Sequence, residues 1–160
     1  MDESLSKRKP NPRLKIFNYK GHYAYSITIC THNKTPIFKS KEIVDSVLDV
    51  LNNVAEKEQF GILAYYFMPD HLHLLLAGGD PSNLQKMIKT FKQISSYRFK
   101  KSYGRPLWQR GYFDHVLRKD EDMEKVARYI WNNPVRKGLV SIIEDYPFSG
   151  PRENMDIGPT

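Results

Sequence analysis

The chain has 160 residues, 40% of them hydrophobic and 12% aromatic, which suits one compact domain with its own core and excludes a disordered chain. Twenty-five Lys and Arg against 18 Asp and Glu give a net charge of +7, pointing to a polyanionic partner: nucleic acid first, a membrane surface second. No apolar run approaches the length of a membrane span, Met1 to Pro12 has no apolar signal core, and the lone Cys30 can form no internal disulfide, so a cytoplasmic protein with a buried thiol is expected.

Residues 1–20 are rich in Lys, Arg and Pro and read as a flexible basic arm. Tyr23 to Thr31 alternates and is rich in β-branched and aromatic residues, which predicts a strand. Ile43, Val47, Leu48, Leu51, Val54 and Ala55 recur at helical spacing across Ser40 to Gln59, with Gly61 as the expected stop. Ile62 to Met68 and His71 to Ala77 read as two strands joined at Pro69-Asp70. Ser82-Asn83-Leu84-Gln85 has the form of a capping box and opens a helix that ends near Gly104. Gly111 to Arg118 is a fourth strand. Asp120 is a candidate N-cap for a last helix running through Met123, Val126, Ala127 and Ile130 to Pro134 and ending at Gly138. The order β-α-β-β-α-β predicts an α+β fold, a ferredoxin-like antiparallel sheet with an added C-terminal helix. Residues 21–148 form a single domain in this reading, and 149–160 a loose C-terminal tail.

Two constellations could carry chemistry. In His71-Leu72-His73 a strand sends both imidazoles to one face, about 6–7 Å apart along the chain, while Leu72 points to the core. Two histidines in so apolar a stretch are costly without partners, so they are candidate metal ligands. Tyr129 and Asn133 lie four residues apart on the predicted last helix, hence on one face. A metal that polarises a phosphate and a phenol that attacks it would together make a phosphotyrosine enzyme. An ordinary phenol has a pKa of about 10, so some group must take or displace its proton; His115 is one candidate. Either set also has a structural reading: polar residues on a half-exposed strand, a packing tyrosine and a helix-end asparagine.

Basic residues Lys86, Lys89, Lys92, Arg98, Lys100 and Lys101 lie largely off the apolar face of the second helix. With Lys7, Arg8, Lys9, Arg13 and Lys15 they could track a nucleic-acid backbone, although a solvated face accounts for them equally well. Tyr97, Tyr103, Trp108 and Tyr112 could stack bases or pack in the core.

Phe67-Met68-Pro69-Asp70 before the histidine pair, Trp108 with Gly111 to Arg118, and Tyr129-Ile130-Trp131-Asn132-Asn133-Pro134-Val135 with Gly138-Leu139-Val140 together resemble the single-tyrosine transposases of the His-hydrophobic-His (HUH) superfamily. Within it they are most similar to the repeat-associated (REP-associated) tyrosine transposases, relatives of the small insertion-sequence transposases. The resemblance spans roughly residues 13–148. It implies a divalent metal, magnesium or manganese, and cleavage of single-stranded DNA next to a hairpin through a covalent 5′-phosphotyrosine with a free 3′-hydroxyl. On this chain it implies metal ligands His71, His73 and Asn133, the nucleophile Tyr129 on the C-terminal helix, and a monomer or homodimer acting away from membranes. Asn133 followed by Pro134 stands where insertion-sequence members usually have Gln, which favours the repeat-associated branch. Two other classes stay in view: a non-catalytic nucleic-acid-binding module on a ferredoxin-like sheet, and a metal hydrolase with a water nucleophile.

Overall fold

The computed structural model describes residues 23–79, 81–117 and 123–155. The expected basic arm, Arg118 at the end of the fourth strand and the Asp120 cap lie outside these residues. Strands β1 (Ala24–Cys30), β2 (Phe60–Met68), β3 (His71–Gly78), β4 (Phe113–Val116) and β5 (Ser149–Gly150) form one sheet in the order β4-β1-β3-β2-β5, antiparallel throughout. Helices α1 (Lys41–Lys57) and α2 (Leu84–Tyr103) are the long ones; α3 (Met123–Trp131), α4 (Asn133–Arg136) and α5 (Arg152–Met155) are short. The predicted α+β order holds, with the strands and long helices within a few residues of their expected bounds.

The sheet has two cores because its strands alternate. Tyr25, Ile27 and Ile29 of β1, Leu72, Leu74 and Leu76 of β3 and Phe67 of β2 pack under the apolar stripes of α1 and α2. Ala64, Tyr66, Met68 and Leu75 face the other way, against Ala127, Ile130 and Trp131 of α3 and against Tyr146 and Met155. His71 and His73 lie on this second face.

One irregularity decides what meets them. The β2–β3 register shifts between Ile62 and Ala64, so that Leu63 is an extra residue: Ile62 opposes Leu76, and Ala64 opposes Leu75. A bulge of this kind reverses the parity of the strand beyond it. Tyr66 then stands opposite His73 and Met68 opposite His71, while Tyr65 and Phe67 turn to the large core.

Several local expectations are corrected. Gly61 does not stop α1. That helix ends at Lys57, the chain reverses at Gln59 with φ of 63°, and Gly61 is already in β2. The capping box is displaced: Asn83 is the N-cap of α2, its side chain accepting from the Lys86 N–H at 3.2 Å. Ser82 instead accepts from Gly79 N–H and donates to the Gln59 carbonyl, pinning the loop to the α1–β2 turn. Gly104 caps α2 in the left-handed conformation, as its position predicts. The last helix is not continuous. It breaks at Asn132 because Pro134 has no N–H for the Ile130 carbonyl and its ring crowds the preceding turn. The tail expected from 149 onward is ordered over 149–155: β5 pairs with β2, Trp131 Nε1 donates to the Gly150 carbonyl at 2.9 Å, and Met155 is buried in the second core.

A candidate metal and tyrosine site

β3 presents His71 and His73 on one face, as the spacing predicts. His73 is 1% exposed, and its Nε2 lies 3.1 Å from the Ser26 hydroxyl on β1. Burial, aided by neighbouring His71, pushes its pKa well below the usual imidazole value, so it is neutral and a competent metal ligand. The His71 Nδ1–H donates to the Asp70 carboxylate at 2.8 Å. That bond is the main cause holding the Asp70 carboxyl below its usual range, and it leaves the His71 Nε2 lone pair directed elsewhere.

It is directed at Tyr66. The Tyr66 hydroxyl lies 3.4 Å from His71 Nε2 and 3.5 Å from His73 Nδ1, and its ring meets both imidazoles edge-on. Asn133, 2% exposed, donates from Nδ2 to the same oxygen. The three residues expected to hold a metal are therefore gathered around one phenol oxygen. Burial raises the Tyr66 pKa far above the phenol range, so that oxygen keeps its proton. Among the described residues no cluster of three or more His, Cys, Asp or Glu is suited to a metal; the candidate donors gathered here are two imidazoles and an amide.

Tyr129 is near the C-terminal end of α3, 41% exposed. The break at Asn132 separates its environment from that of Asn133: the phenol faces outward while the amide turns inward to Tyr66. The single helix expected to carry both is interrupted between them. Arg136 of α4 covers the Tyr129 ring, its guanidinium carbon 3.8 Å from the ring centroid, and donates to the Tyr129 carbonyl at 2.9 Å. The positive charge of Arg136 is also felt at Tyr66, where it opposes the effect of burial. His115 is exposed on β4, opposite Ser26, on the histidine face of the sheet.

The basic residues singled out on α2 have varied surroundings. Lys92 donates to the carbonyls of Gln109 and Gly111 and so braces the loop before β4. Arg98 pairs with Asp49 at 3.0 Å and Lys86 with Glu58 at 3.6 Å; Lys89 is exposed. Trp108 is a core residue rather than a stacking platform, packed on Phe38 and Phe91 with its Nε1 donating to Ser95. Tyr97, 69% exposed, and Tyr103 are open to solvent on α2.

Tyr66, Ser26 and Arg136 do not stand out in the sequence. Plain alternation counted from Ile62 would put Tyr66 in the large core, and only the bulge brings it to the histidines. Asp70 read as a turn residue, yet its adjacency to His71 was the available signal.

The model of the IS200-like transposase family matches residues 19–133, most of the chain. A Haemophilus influenzae protein provisionally assigned as a REP-associated tyrosine transposase is 25% identical over 149 residues, covering 82% of this chain and 84% of that protein. The REP-associated tyrosine transposase of Escherichia coli K12 is 30% identical over 98 residues, 60% of this chain and 57% of that one. A solved structure of a REP-associated tyrosine transposase bound to a REP hairpin superposes with a TM-score of 0.73 at 20% identity, covering 92% of this chain and 87% of that one, and so shares the fold. Among the described residues no helix is long and apolar enough to cross a membrane. With a matching family model over both the histidine strand and the tyrosine helix, the chain belongs to the IS200-like transposase family.

Proposed function

We propose that the protein is a metal-dependent single-tyrosine transposase that cuts and rejoins single-stranded DNA beside a hairpin of repeat origin. One observation carries this reading: His71, His73 and Asn133 gather around a single oxygen on one sheet face, and an exposed tyrosine stands four residues before Asn133. The names of its relatives, and the hairpin bound by its structural neighbour, support the choice of substrate.

The donor set fits a divalent cation such as manganese or magnesium: two imidazoles, that of His73 held neutral by burial, and an amide that presents Oδ1 after a half-turn, with no thiolate. A cation held by these three residues would supply charge that polarises a phosphate oxygen. Asp70 and Ser26 orient the imidazoles. The Tyr129 oxygen attacks the phosphorus in line, forming a Tyr–O–P bond to the 5′ side as the P–O3′ bond breaks. The phenol gives up its proton, and the departing 3′ oxygen takes one up to become a hydroxyl. The ester survives in the phosphotyrosine, so a 3′-hydroxyl can reverse the step without ATP.

The test is incubation of purified protein with a labelled single-stranded hairpin oligonucleotide from its own genomic neighbourhood, with manganese or magnesium, followed by a denaturing gel. A protein–DNA adduct is expected from the wild type and not from Tyr129→Phe, His71→Ala or EDTA-treated protein. Cleavage that survives Tyr129→Phe with no adduct would instead mean a water nucleophile. Binding without cleavage, with the cognate hairpin supplied, would mean a passive binding module.

A further inference from the structure

We propose that Arg136 is the positioning residue for the Tyr129 ring, clamping the nucleophile from above and bringing a fixed positive charge to it. The inference rests on the tyrosine mechanism proposed above.

An exposed tyrosine on a helix is free to sample several rotamers, and each one lost on reaction costs rate. Here the ring has a cover. The Arg136 guanidinium lies over it at 3.8 Å, and the same guanidinium is tied through Nη2 to the carbonyl of Tyr129 itself at 2.9 Å. One side chain thus grips both the backbone and the ring of the same residue, seven positions away. Two contacts on a planar cation set its plane, and the plane sets the ring.

What Arg136 lacks is equally informative. Arg128, on the neighbouring turn, pairs with Glu124 at 2.6 Å, and Arg98 pairs with Asp49. Arg136 has no carboxylate partner among the described residues, and it is exposed. An arginine placed only for stability on this surface would be expected to find an acid. One of its five N–H groups is used by the Tyr129 carbonyl; the others, with no hydrogen-bond partner among the described residues, can meet an anion approaching the phenol.

The experiment compares wild type, Arg136→Gln and Arg136→Lys in single-turnover adduct formation at saturating hairpin oligonucleotide, with affinity for the same oligonucleotide measured separately. Arg136→Gln is expected to slow adduct formation by about 100-fold, the cost of a misplaced nucleophile, while the dissociation constant changes less than threefold. Arg136→Lys keeps the charge but not the planar fork, and should recover less than a tenth of the lost rate. A second measurement needs no chemistry: 3-fluorotyrosine incorporated at Tyr129 should give one ¹⁹F resonance in the wild type and a shifted, motionally averaged one in Arg136→Gln. An Arg136→Gln rate within threefold of wild type, or a full recovery by Lys, would overturn the proposal. So would a rate defect that tracks lost affinity, or an unchanged ¹⁹F line. If the wild type forms no adduct on its cognate hairpin, the tyrosine mechanism itself fails, and the ¹⁹F comparison still decides whether Arg136 holds the ring.

Discussion

At the scale of single residues, the proposed site depends on partners one step removed from the proposed metal ligands. Asp70 takes the Nδ1–H of His71, and Ser26 bonds His73, so each imidazole has one nitrogen held by a residue outside the proposed ligand set. Removing such a partner typically lowers metal affinity by about 10–100-fold. Asp70→Ala should therefore weaken Mn²⁺ binding, measured by calorimetry, by about that factor, with the thermal midpoint little changed because Asp70 is partly exposed. An unaltered affinity would mean that the turn, not the carboxylate, orients His71. His71, His73, Tyr129 and Asn133 were legible as candidates from residue type and spacing. Tyr66 and Arg136 were not, since what places them is a strand irregularity and a helix break, neither of which leaves a periodic signal.

At the scale of elements, the parts that frame the site are short and depend on close packing. β5 has two residues, yet it closes the β2 edge and offers the Gly150 carbonyl to Trp131. A β-carbon at Gly150 would fall 2.7 Å from the Tyr65 hydroxyl and 2.9 Å from the ring carbon bearing it. Gly150→Ala should destabilise the fold by about 1–3 kcal/mol, the usual cost of overpacking. In a Tyr65→Ser background the same substitution should cost much less, and equal costs in urea denaturation would refute the steric account. The long elements were readable because their apolar periods persist over many residues. β5 and α5 were missed because two to four residues carry no period, and their order comes from contacts outside themselves: Asn154 to the Leu63 carbonyl far away in sequence, and Arg152 to the nearby carbonyls of Glu144 and Tyr146.

At the scale of the whole molecule, the +7 charge bears on how DNA is held. Binding to a single-stranded hairpin arm should weaken with salt along a log–log slope of about −0.7 per phosphate neutralised. Lys89→Ala should make that slope shallower by about 0.7 if Lys89 touches a phosphate, whereas Lys92→Ala should act through stability, because Lys92 holds the loop at Gln109 and Gly111. A salt-independent affinity would exclude a backbone-tracking surface. The α+β order and the family were readable because both follow from the succession of long elements and a motif of adjacent residues. The burial of Asn133 against Tyr66 was not, because it follows from how α4 docks on the sheet.

The extra residue in β2 has a consequence for how lengths vary among related chains. Side chains on a strand take turns between two faces, so the stretch from Leu63 to Met68 behaves as a counter with two settings. Loss of a single residue there would absorb the bulge, leaving an unbroken ladder in which Ile62 still faces Leu76 and Tyr66 still faces His73. Loss of two would put the ends of the strand out of step, so that without a compensating bulge in β3 Ile62 and Tyr66 could not both keep their faces. A one-residue gap at this point in an alignment is therefore compatible with the same company around the histidines, and a two-residue gap is not.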